Sequence, residues 1–405
     1  MRIGIYADVA KDPKPTGIGL HVVNLLQALA QIDKSNEYVL YYRRSPLTGN
    51  AALADWPKQP NFRPRPVRFP DRLEHGRPRL WWNWYLPWVL RRDQIDVFHG
   101  PNHFLPEFNS NRNIVTIHDL AYFRMRVHGA AQDEILRTWT QKALKRAAAV
   151  IALSENTRRD IESLGVPAER IRVIYGGGNV TPEDRISYDR KDELRRNRNL
   201  PERYILFVGT LQPRKNVPFL IRSYARLKKE KGIPHALVLA GHRDTAAAEI
   251  DALTRELGIS QDVHITGYVD AWELPLLYKL ADLFVLPTLY EGFTLVTLEA
   301  MAYGVPVIAT DTSSIREGVG DAALLVQADD VTGLTEAMGK ALANEALRTD
   351  LVARGQIQAQ KFTWEKCARD TAELYREIGA KEPSLIPSSR AVSDPAAIVN
   401  VQVKG

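Results

Sequence analysis

The stretch of sequence that decides the fold reads Leu286-Pro-Thr-Leu-Tyr-Glu291-Gly-Phe-Thr-Leu-Val-Thr-Leu-Glu299-Ala-Met-Ala-Tyr-Gly-Val-Pro306. The short apolar run that leads into it, Leu283 to Leu286, stops at Pro287 and predicts a buried strand. Glu291 and Gly292 predict a turn, and a helix is expected to begin near Thr294, whose hydroxyl is a favourable N-cap. A strand, a turn and a helix in this order form the repeating unit of a parallel α/β sheet.

The predicted helix brings a carboxylate close to an anion-binding helix end. Glu299 shares a helix face with three apolar residues, Leu295, Leu298 and Ala302, and therefore points toward the interior. Because a buried, unpaired carboxylate is costly, Glu299 needs a hydrogen-bonding partner from the protein or from a ligand. The free amides of Gly292 to Leu295 at the start of the helix favour an anion such as phosphate. A core helix, with Glu299 paired to an arginine or a backbone amide, is the alternative.

The composition is that of a soluble protein with more than one domain. Apolar residues make up 45% and charged residues 25% of the 405 positions, and a chain of this length predicts two domains. No apolar run approaches the ~20 residues of a membrane-spanning helix, and the start, Met1 to Asp8, predicts a first strand rather than a signal peptide. The single Cys367 excludes a disulfide within the chain and is typical of the reducing cytosol. The net charge of +6 suits an anionic nucleotide or membrane surface, whereas no motif indicates nucleic-acid binding.

Apolar runs that predict strands alternate with amphipathic segments along nearly the whole chain. This alternation predicts an α/β fold with two doubly wound, Rossmann-like parallel sheets, each in its own domain and covered by helices on both faces. The expected domains are residues 1–180 and 204–362, joined by a charged linker at 181–203 and followed by a terminal helix at 363–380 and a loose tail at 381–405. The predicted strands are Arg2–Ala7, Tyr38–Tyr42, Ile95–His99, Asn113–Ile117, Ala148–Leu153, Ile171–Tyr175, Tyr204–Val208, Ala236–Ala240, Val263–Thr266, Leu283–Leu286, Val305–Ala309 and Ala323–Val326.

A basic loop follows the first strand of the second domain. It reads Val208-Gly209-Thr210-Leu-Gln-Pro213-Arg214-Lys215-Asn216. At the carboxyl end of a parallel strand, Arg214 can bind a diphosphate through two hydrogen bonds, and Lys215 adds a point charge. A solvated basic loop is the alternative. Glycines at the next two strand ends, Gly241 and Gly267, either allow a ligand close to the backbone or simply terminate the strands.

The first domain carries glycines and histidines at its predicted strand ends. Gly17 and Gly19 follow the first strand, but Val22 stands where a dinucleotide fingerprint has its third glycine, so NAD chemistry is not favoured. His118 ends a strand and would face the cleft, although a lone histidine can equally be a satisfied core residue. The candidates for contact with an acceptor, at a neighbouring strand end, are His99 and His103.

A segment rich in tryptophan and arginine runs from Arg77 to Arg92. It suits a membrane interface that holds anionic lipids, but it also suits a core helix ahead of the next strand, and we favour the core. The arginine-rich stretch from Asn61 to Arg77, expected to be an exposed loop, is then the better candidate for membrane or acceptor contact.

The spacing of Glu291 and Glu299, followed by Ala-Met-Ala-x-Gly-x-Pro306, resembles the donor-site motif of retaining glycosyltransferases of the GT4 family. The resemblance covers the chain from Arg2 to Ile378 and implies the GT-B architecture, in which two Rossmann-like domains face each other across a cleft. It implies that a hexose is transferred from a nucleoside diphosphate sugar with retention at the anomeric carbon. The nucleotide sugar is then a substrate, and no cofactor is expected.

The resemblance also implies roles for individual residues. Lys215 matches the lysine that holds the donor diphosphate, and Arg214 is expected to add a second positive contact, because Thr210 stands where the family often has arginine. Glu291 would bind sugar hydroxyls and the developing charge, and Glu299 would accept hydrogen bonds from the ribose. The other residues that match the family pattern are His118 near the reactive sugar carbon, Gly17, Gly19 and Gly209 near phosphate, Tyr268, Val269 and Asp270 against the nucleobase, and Gly292, Phe293, Thr294 and Leu295 at the helix start.

The expected donor follows from further motifs. The chain has no Asp-x-Asp triplet, so a metal ion is not expected to bridge the diphosphate, and the basic loop and helix N-terminus would neutralise the leaving group. Gly17-Ile-Gly19, Phe98-His-Gly-Pro-Asn102 and Thr210 to Asn216 look most like bacterial mannosyltransferases of surface polysaccharide assembly. The resemblance therefore implies GDP-mannose as donor, with UDP-sugars open. It also implies a saccharide or lipid-linked saccharide acceptor, met in the cytoplasm or at the cytoplasmic face of the inner membrane.

Two other classes of protein share part of this pattern. A nucleotide-sugar epimerase could use the same architecture, but no acid–base pair for 2-epimerisation is identifiable in the sequence. A catalytically silent carbohydrate-binding or scaffold protein needs no intact donor site, whereas Glu291, Glu299 and Lys215 are all present here. The sequence therefore favours a hexosyltransferase.

Overall fold

The computed structural model describes residues 1–12, 17–43, 56–67, 84–106, 112–244 and 246–380. These residues form two sheets in which the paired strands run parallel. The first sheet has the order β3-β2-β1-β4-β5-β6-β7, with strands at Arg2–Tyr6, Glu37–Arg43, Phe62–Val67, Val97–Gly100, Arg112–Ile117, Ala149–Ala152 and Ile171–Val173 for β1 to β7. The second has the order β10-β9-β8-β11-β12-β13, with strands at Tyr204–Val208, Ala236–Ala240, Val263–Gly267, Leu283–Leu286, Val307–Thr310 and Ala323–Val326 for β8 to β13.

Helices connect the strands and cover both sheets. In chain order α1 to α14 they are Gly17–Ile32, Leu86–Arg92, Ala121–Arg124, Ala130–Arg146, Glu155–Ser163, Lys191–Arg198, Val217–Lys231, Ala247–Glu256, Glu273–Lys279, Leu295–Ala302, Ile315–Val319, Val331–Ala343, Glu345–Ala359 and Trp364–Ala380.

The strand order places the functional loops at the carboxyl ends of the central strands of each sheet. In both sheets the chain winds outward from a central strand, first to one side and then to the other, so the order reverses between β1 and β4 and between β8 and β11. Ligands of such sheets bind at the carboxyl ends of the strands beside this reversal. The central strands are apolar because both of their faces are covered, and Ile205, Leu206 and Phe207 of β8 have no exposed surface. The predicted fold class, two doubly wound parallel sheets, is confirmed.

The predicted strands are present, with small shifts at some of their ends, but one strand was missed. Phe62–Val67 lies in the stretch expected to be an exposed loop, yet it pairs with β2 in parallel register. Its alternating arginines and prolines hide the strand pattern. Proline is tolerated here because β3 lies at the sheet edge, where a missing amide donor breaks few ladder bonds. Residues 68–83 of the expected loop and segment lie outside the described residues, as does the expected tail at 381–405.

The tryptophan-rich segment is only partly core. Leu86, Val89 and Leu90 of α2 are buried, but Trp84 is 67% and Trp88 is 53% exposed. The expectation that the segment is core is therefore wrong for these two tryptophans. None of the helices in the described ranges is long and apolar enough to cross a membrane.

The chain crosses from one domain to the other twice, and the two crossing segments contact each other. After β7 it runs through Gly176, Gly177 and Gly178, and α14 later returns to pack against α1 of the first domain. A Cβ atom on Gly177 would lie 2.4 Å from the backbone nitrogen of Trp364, so the two crossings can touch only if this residue is glycine.

Candidate active site

The carboxylate of Glu291, after β11, binds two cations from the loop after β8, the neighbouring strand of the same sheet. The Lys215 Nζ lies 2.6 Å from Oε1, and the Arg214 Nη1 lies 3.0 Å from Oε2. The Thr288 hydroxyl also donates to Oε1 at 2.9 Å. Lys215 and Arg214 sit in a single 3-10 turn after β8, which Asn216 ends in the left-handed conformation with φ +53°. The loops after β8 and β11 thus meet at one charged cluster.

Burial and charge act against each other in this cluster. Burial raises the pKa of Glu291, but Lys215 and Arg214 lower it further, to about 2. Burial lowers the pKa of Lys215, while the charge of Glu291 raises it. Asp119 of the first domain also raises the pKa of both Arg214 and Lys215. The cluster therefore holds an ionised carboxylate whose cations can also bind another anion.

Within the described residues, the N-cap side chain of α10 makes no capping hydrogen bond. Thr294 occupies the N-cap position, but its hydroxyl bonds the Thr297 hydroxyl at 2.8 Å and caps no amide. The expectation that the Thr294 hydroxyl caps the helix is therefore wrong. Because amides at a helix start that lack a cap can bind an anion, this end remains suited to phosphate.

Gly292 of the second domain packs against the backbone of the first domain. A Cβ atom at this position would lie 1.8 Å from the carbonyl oxygen of His118. Glycine therefore allows His118 to reach the residues between Glu291 and the start of α10.

Glu299 is satisfied by the protein. The Tyr278 hydroxyl donates to its Oε2 at 3.0 Å, and Asn179 also bonds the carboxyl group. Burial raises the pKa of Glu299 to about 7, although these hydrogen bonds partly oppose the shift. Its partners are thus neutral groups rather than an arginine, and a proton is readily held at this site.

His118 and His103 form a linked pair of neutral imidazoles. The Nε2 of His118 donates to the carbonyl of Pro101 at 2.7 Å, which fixes its tautomer because a carbonyl only accepts. His103 accepts from the His118 amide at 3.2 Å and contacts the Tyr122 hydroxyl at 3.0 Å. Burial lowers the pKa of both histidines. His103 therefore supports the backbone of His118 and does not face open solvent, contrary to its expected role as an acceptor contact.

His99 also departs from its expected role. It has no exposed surface, and its two nitrogens bond the hydroxyls of Tyr375 and Thr116 at 2.7 and 2.8 Å. Because Tyr375 belongs to α14, His99 joins the first sheet to the returning helix. In this conformation it is a core residue and not an acceptor contact.

The sequence assigned no role to His21, which lies in this cleft. The His21 ring packs edge-on against His118 and Trp364, with centroids 4.9 and 5.1 Å apart. Its Nδ1 has no hydrogen-bond partner within the described residues. Its position two residues after Gly19, at the start of α1, was the one indication in the sequence. Gly17 itself has a φ of +21°, and Gly19 is buried.

The expected nucleobase loop lies beside the basic loop. A Cβ atom on Gly241 would lie 2.1 Å from the Gly209 carbonyl oxygen, so the turns after β8 and β9 touch through their backbones. The ring of Tyr268 packs 4.9 Å from that of His242. The Asp270 amide donates to buried Glu273 at 2.8 Å, and this holds the loop from Tyr268 through Val269 in place. Among the residues that the structure describes, no group of three His, Cys, Asp or Glu side chains is placed to hold a metal ion.

Two facing Rossmann-like domains, with cations and a helix start at the carboxyl ends of their strands, define the GT-B architecture. Comparison with known proteins agrees: residues 15–181 match the model of Glycosyltransferase Family 4, and residues 189–358 match that of Glycosyl transferases group 1. The chain belongs to the GT4 family of glycosyltransferases.

Curated relatives support the same family, and a solved structure supports the same fold. The chain is 32% identical over 311 residues to O-antigen chain mannosyltransferase B of Escherichia coli, which covers 75% of this chain and 78% of the relative. It is 31% identical over 257 residues to D-inositol 3-phosphate glycosyltransferase of Corynebacterium jeikeium, 61% of each chain. Sucrose-phosphate synthase from Thermosynechococcus elongatus has a similar fold, with a TM-score of 0.72, 24% identity and coverage of 94% of this chain and 99% of that one.

Proposed function

We propose that this glycosyltransferase moves mannose from GDP-mannose to a saccharide or lipid-linked saccharide, with retention at the anomeric carbon and without a metal ion. The observation that carries the proposal is the meeting of Lys215, Arg214 and Glu291 beside the uncapped start of α10. The similarity to a mannosyltransferase supports mannose as the sugar. UDP-sugars are the alternative donors.

In this proposal the cations exchange one anion for another. Lys215 and Arg214 lie within 3.0 Å of Glu291 and turn from its carboxylate to the diphosphate when the donor binds. The amides at the start of α10 bind the same leaving group. Glu291, released from its two cations, then accepts hydrogen bonds from sugar hydroxyls and stabilises the positive charge that develops on the sugar.

The remaining donor contacts follow from the positions of the loops. Glu299 exchanges the Tyr278 hydroxyl for the ribose hydroxyls, and the turn at Gly209 lets the phosphates approach the backbone. The loop Tyr268 to Asp270 lies against the base. His118 stands at the reactive carbon, where its carbonyl beside Gly292 can face the sugar.

We place the acceptor on the side of the first domain and propose peripheral contact with an anionic membrane. Trp84 and Trp88 are exposed, and the Arg92 guanidinium lies 5.5 Å over the Trp88 ring. Exposed aromatic and basic side chains together suit a lipid interface. Co-sedimentation with vesicles of anionic lipid tests this contact: we expect binding that Trp84→Ala with Trp88→Ala abolishes, and equal binding by the double variant would contradict it.

A panel of nucleotide sugars separates the three candidate functions. Transfer releases nucleoside diphosphate when an acceptor is present, whereas an epimerase would change the sugar with no acceptor. A silent binding protein would show a thermal shift without turnover. The absence of both a thermal shift and diphosphate release across the panel would refute the transferase proposal.

A further inference from the structure

Glu317 of the second domain bonds the backbone of the first. It lies on α11, and its Oε2 accepts from the amide of Glu155 at 2.7 Å, while its Oε1 accepts from the amide of Asn156 at 2.8 Å. The Tyr175 hydroxyl donates to the same Oε2 at 3.1 Å. Both oxygens of this one carboxylate thus accept hydrogen bonds from the other domain.

The amides that Glu317 binds are the first two of helix α5. The third amide, that of Thr157, is bound by the N-cap hydroxyl of Ser154 at 3.0 Å. These three amides are therefore all satisfied, two of them from across the domain boundary. A carboxylate at a helix N-terminus also interacts favourably with the helix dipole, and hydrogen bonds to a charged acceptor are strong.

Two serines connect Glu317 to Glu291. The Glu291 amide donates to the Ser313 hydroxyl at 2.8 Å, and the Ser314 hydroxyl donates to the Glu291 carbonyl at 2.9 Å. The Glu317 amide in turn donates to the Ser314 carbonyl at 3.1 Å. Ser313 holds the left-handed conformation with φ +46°, which is uncommon for serine and needs support from its surroundings.

Helix α5 also contacts both neighbours of Glu291. The Tyr290 hydroxyl bonds the Asp160 carboxylate, and the Thr157 hydroxyl donates to the Gly292 carbonyl at 3.3 Å. A movement of α5 relative to the second domain would therefore act directly on the backbone on both sides of Glu291.

We propose that Glu317 is a positioning residue for sugar transfer, which closes the first domain onto the second by binding the start of α5 and so fixes the backbone of Glu291. The inference rests on the proposed transferase function. It predicts that loss of this contact lowers turnover without weakening nucleotide binding, because the cations that bind the diphosphate both belong to the second domain.

The contact can be broken from either domain. Glu317→Gln replaces one acceptor oxygen by an NH2 group, which only donates and so cannot accept the hydrogen bond of the backbone amide that it faces. Glu155→Pro removes the amide at the first helical position, where proline is well tolerated, and the preceding Ser154 is already extended at φ −158° and ψ 164°. Glu155→Ala keeps that amide and is the matched control, and Glu336→Gln on an exposed helix face is the control for Glu317→Gln.

We expect Glu317→Gln and Glu155→Pro each to lower kcat by about 10- to 100-fold, the loss typical of hydrogen bonds to a charged group. The double variant should lose little more than either single variant, because both break one contact. Nucleotide affinity by calorimetry should be unchanged in every variant, which also shows that the second domain is folded. Small-angle scattering should give a larger radius of gyration for both single variants and for neither control.

Three results would overturn the proposal. Wild-type kcat in both variants would show that the contact does not matter for turnover, and losses that multiply in the double variant would show that the two changes act separately. An equal loss of nucleotide affinity would make Glu317 part of the donor site's own structure. If no sugar is transferred even by the unaltered protein, the scattering comparison still tests the domain contact on its own.

Discussion

Replacing Glu291 by glutamine tests the charged cluster at its centre. The folded protein holds the pKa of this buried carboxyl at about 2, against about 4.5 for an ordinary glutamate. A difference of about 2.5 pKa units corresponds to about 3 kcal/mol. Glu291→Gln should therefore lower the free energy of unfolding by about 3 kcal/mol at pH 7, and it should lower kcat/KM at least about 100-fold.

The pH dependence follows from the sign of the shift. Because folding lowers the pKa of Glu291, its contribution to stability is complete above the pKa of the unfolded chain and fades as pH falls toward 2. At pH 3, between the two pKa values, roughly half of it should remain. Urea unfolding at pH 7 and pH 3 measures the difference in free energy of unfolding between Glu291→Gln and the unaltered protein. The transition to follow is the one that moves when nucleotide is added, because it belongs to the domain that binds nucleotide. Glu336→Gln is the exposed control. A gap that is the same at both pH values would refute the claim that Lys215 and Arg214 stabilise an ionised Glu291.

Further predictions concern the other parts of the site. Lys215→Ala should weaken nucleotide binding and lower kcat/KM at least about 100-fold, as calorimetry and initial rates would measure; unaltered affinity would contradict a phosphate contact. Gly292→Ala puts a methyl group into the His118 carbonyl, so kcat should fall about 100-fold while nucleotide affinity is retained, and normal turnover would show that the domains need not approach here. Glu299→Gln should raise the free energy of unfolding at pH 8 but not at pH 4, because burial raises the pKa of Glu299 to about 7. The cost of this carboxyl to stability therefore builds up between the pKa of an ordinary glutamate and about 7, and is complete at pH 8. Equal stability of the two proteins at pH 8 would contradict this reading.

The fold could be predicted from the sequence because its strands are buried on both faces. Runs such as Tyr204–Val208 and Ala236–Ala240 are apolar throughout, and their ends agree with the structure. The edge strand Phe62–Val67 could not be recognised in this way. Among the strands that the structure describes it pairs with β2 alone, so its sequence is free to carry the prolines and arginines that hide a strand.

The site was predictable where its residues follow strands of one sheet and less so where they meet across domains. The sequence suggested that Glu291, Lys215 and Arg214 lie at facing strand ends, but it could not show that the carboxylate binds both cations. The residues around Glu317 give no sign of its contact. Its carboxylate binds the start of a helix in the other domain, which no local pattern can reveal.

The histidines show the same limit. His99 lies at the end of a strand and His103 follows it, as acceptor contacts would, but their partners Tyr375 and Tyr122 lie elsewhere in the chain. His21 was overlooked because a histidine within an apolar helical segment has no distinguishing spacing. Its neighbour His118 lies far away in sequence.

The most direct test of the proposed function is to incubate the protein with GDP-α-mannose and a mannose-terminated saccharide acceptor, and to determine the anomeric configuration of the product by NMR. We expect GDP release that depends on the acceptor and an α-linked mannose in the product, in the presence of a metal chelator. A β-linked product would contradict retention. No transfer from GDP-mannose or from any UDP-sugar would contradict the central claim that the Glu291 cluster is a sugar-donor site.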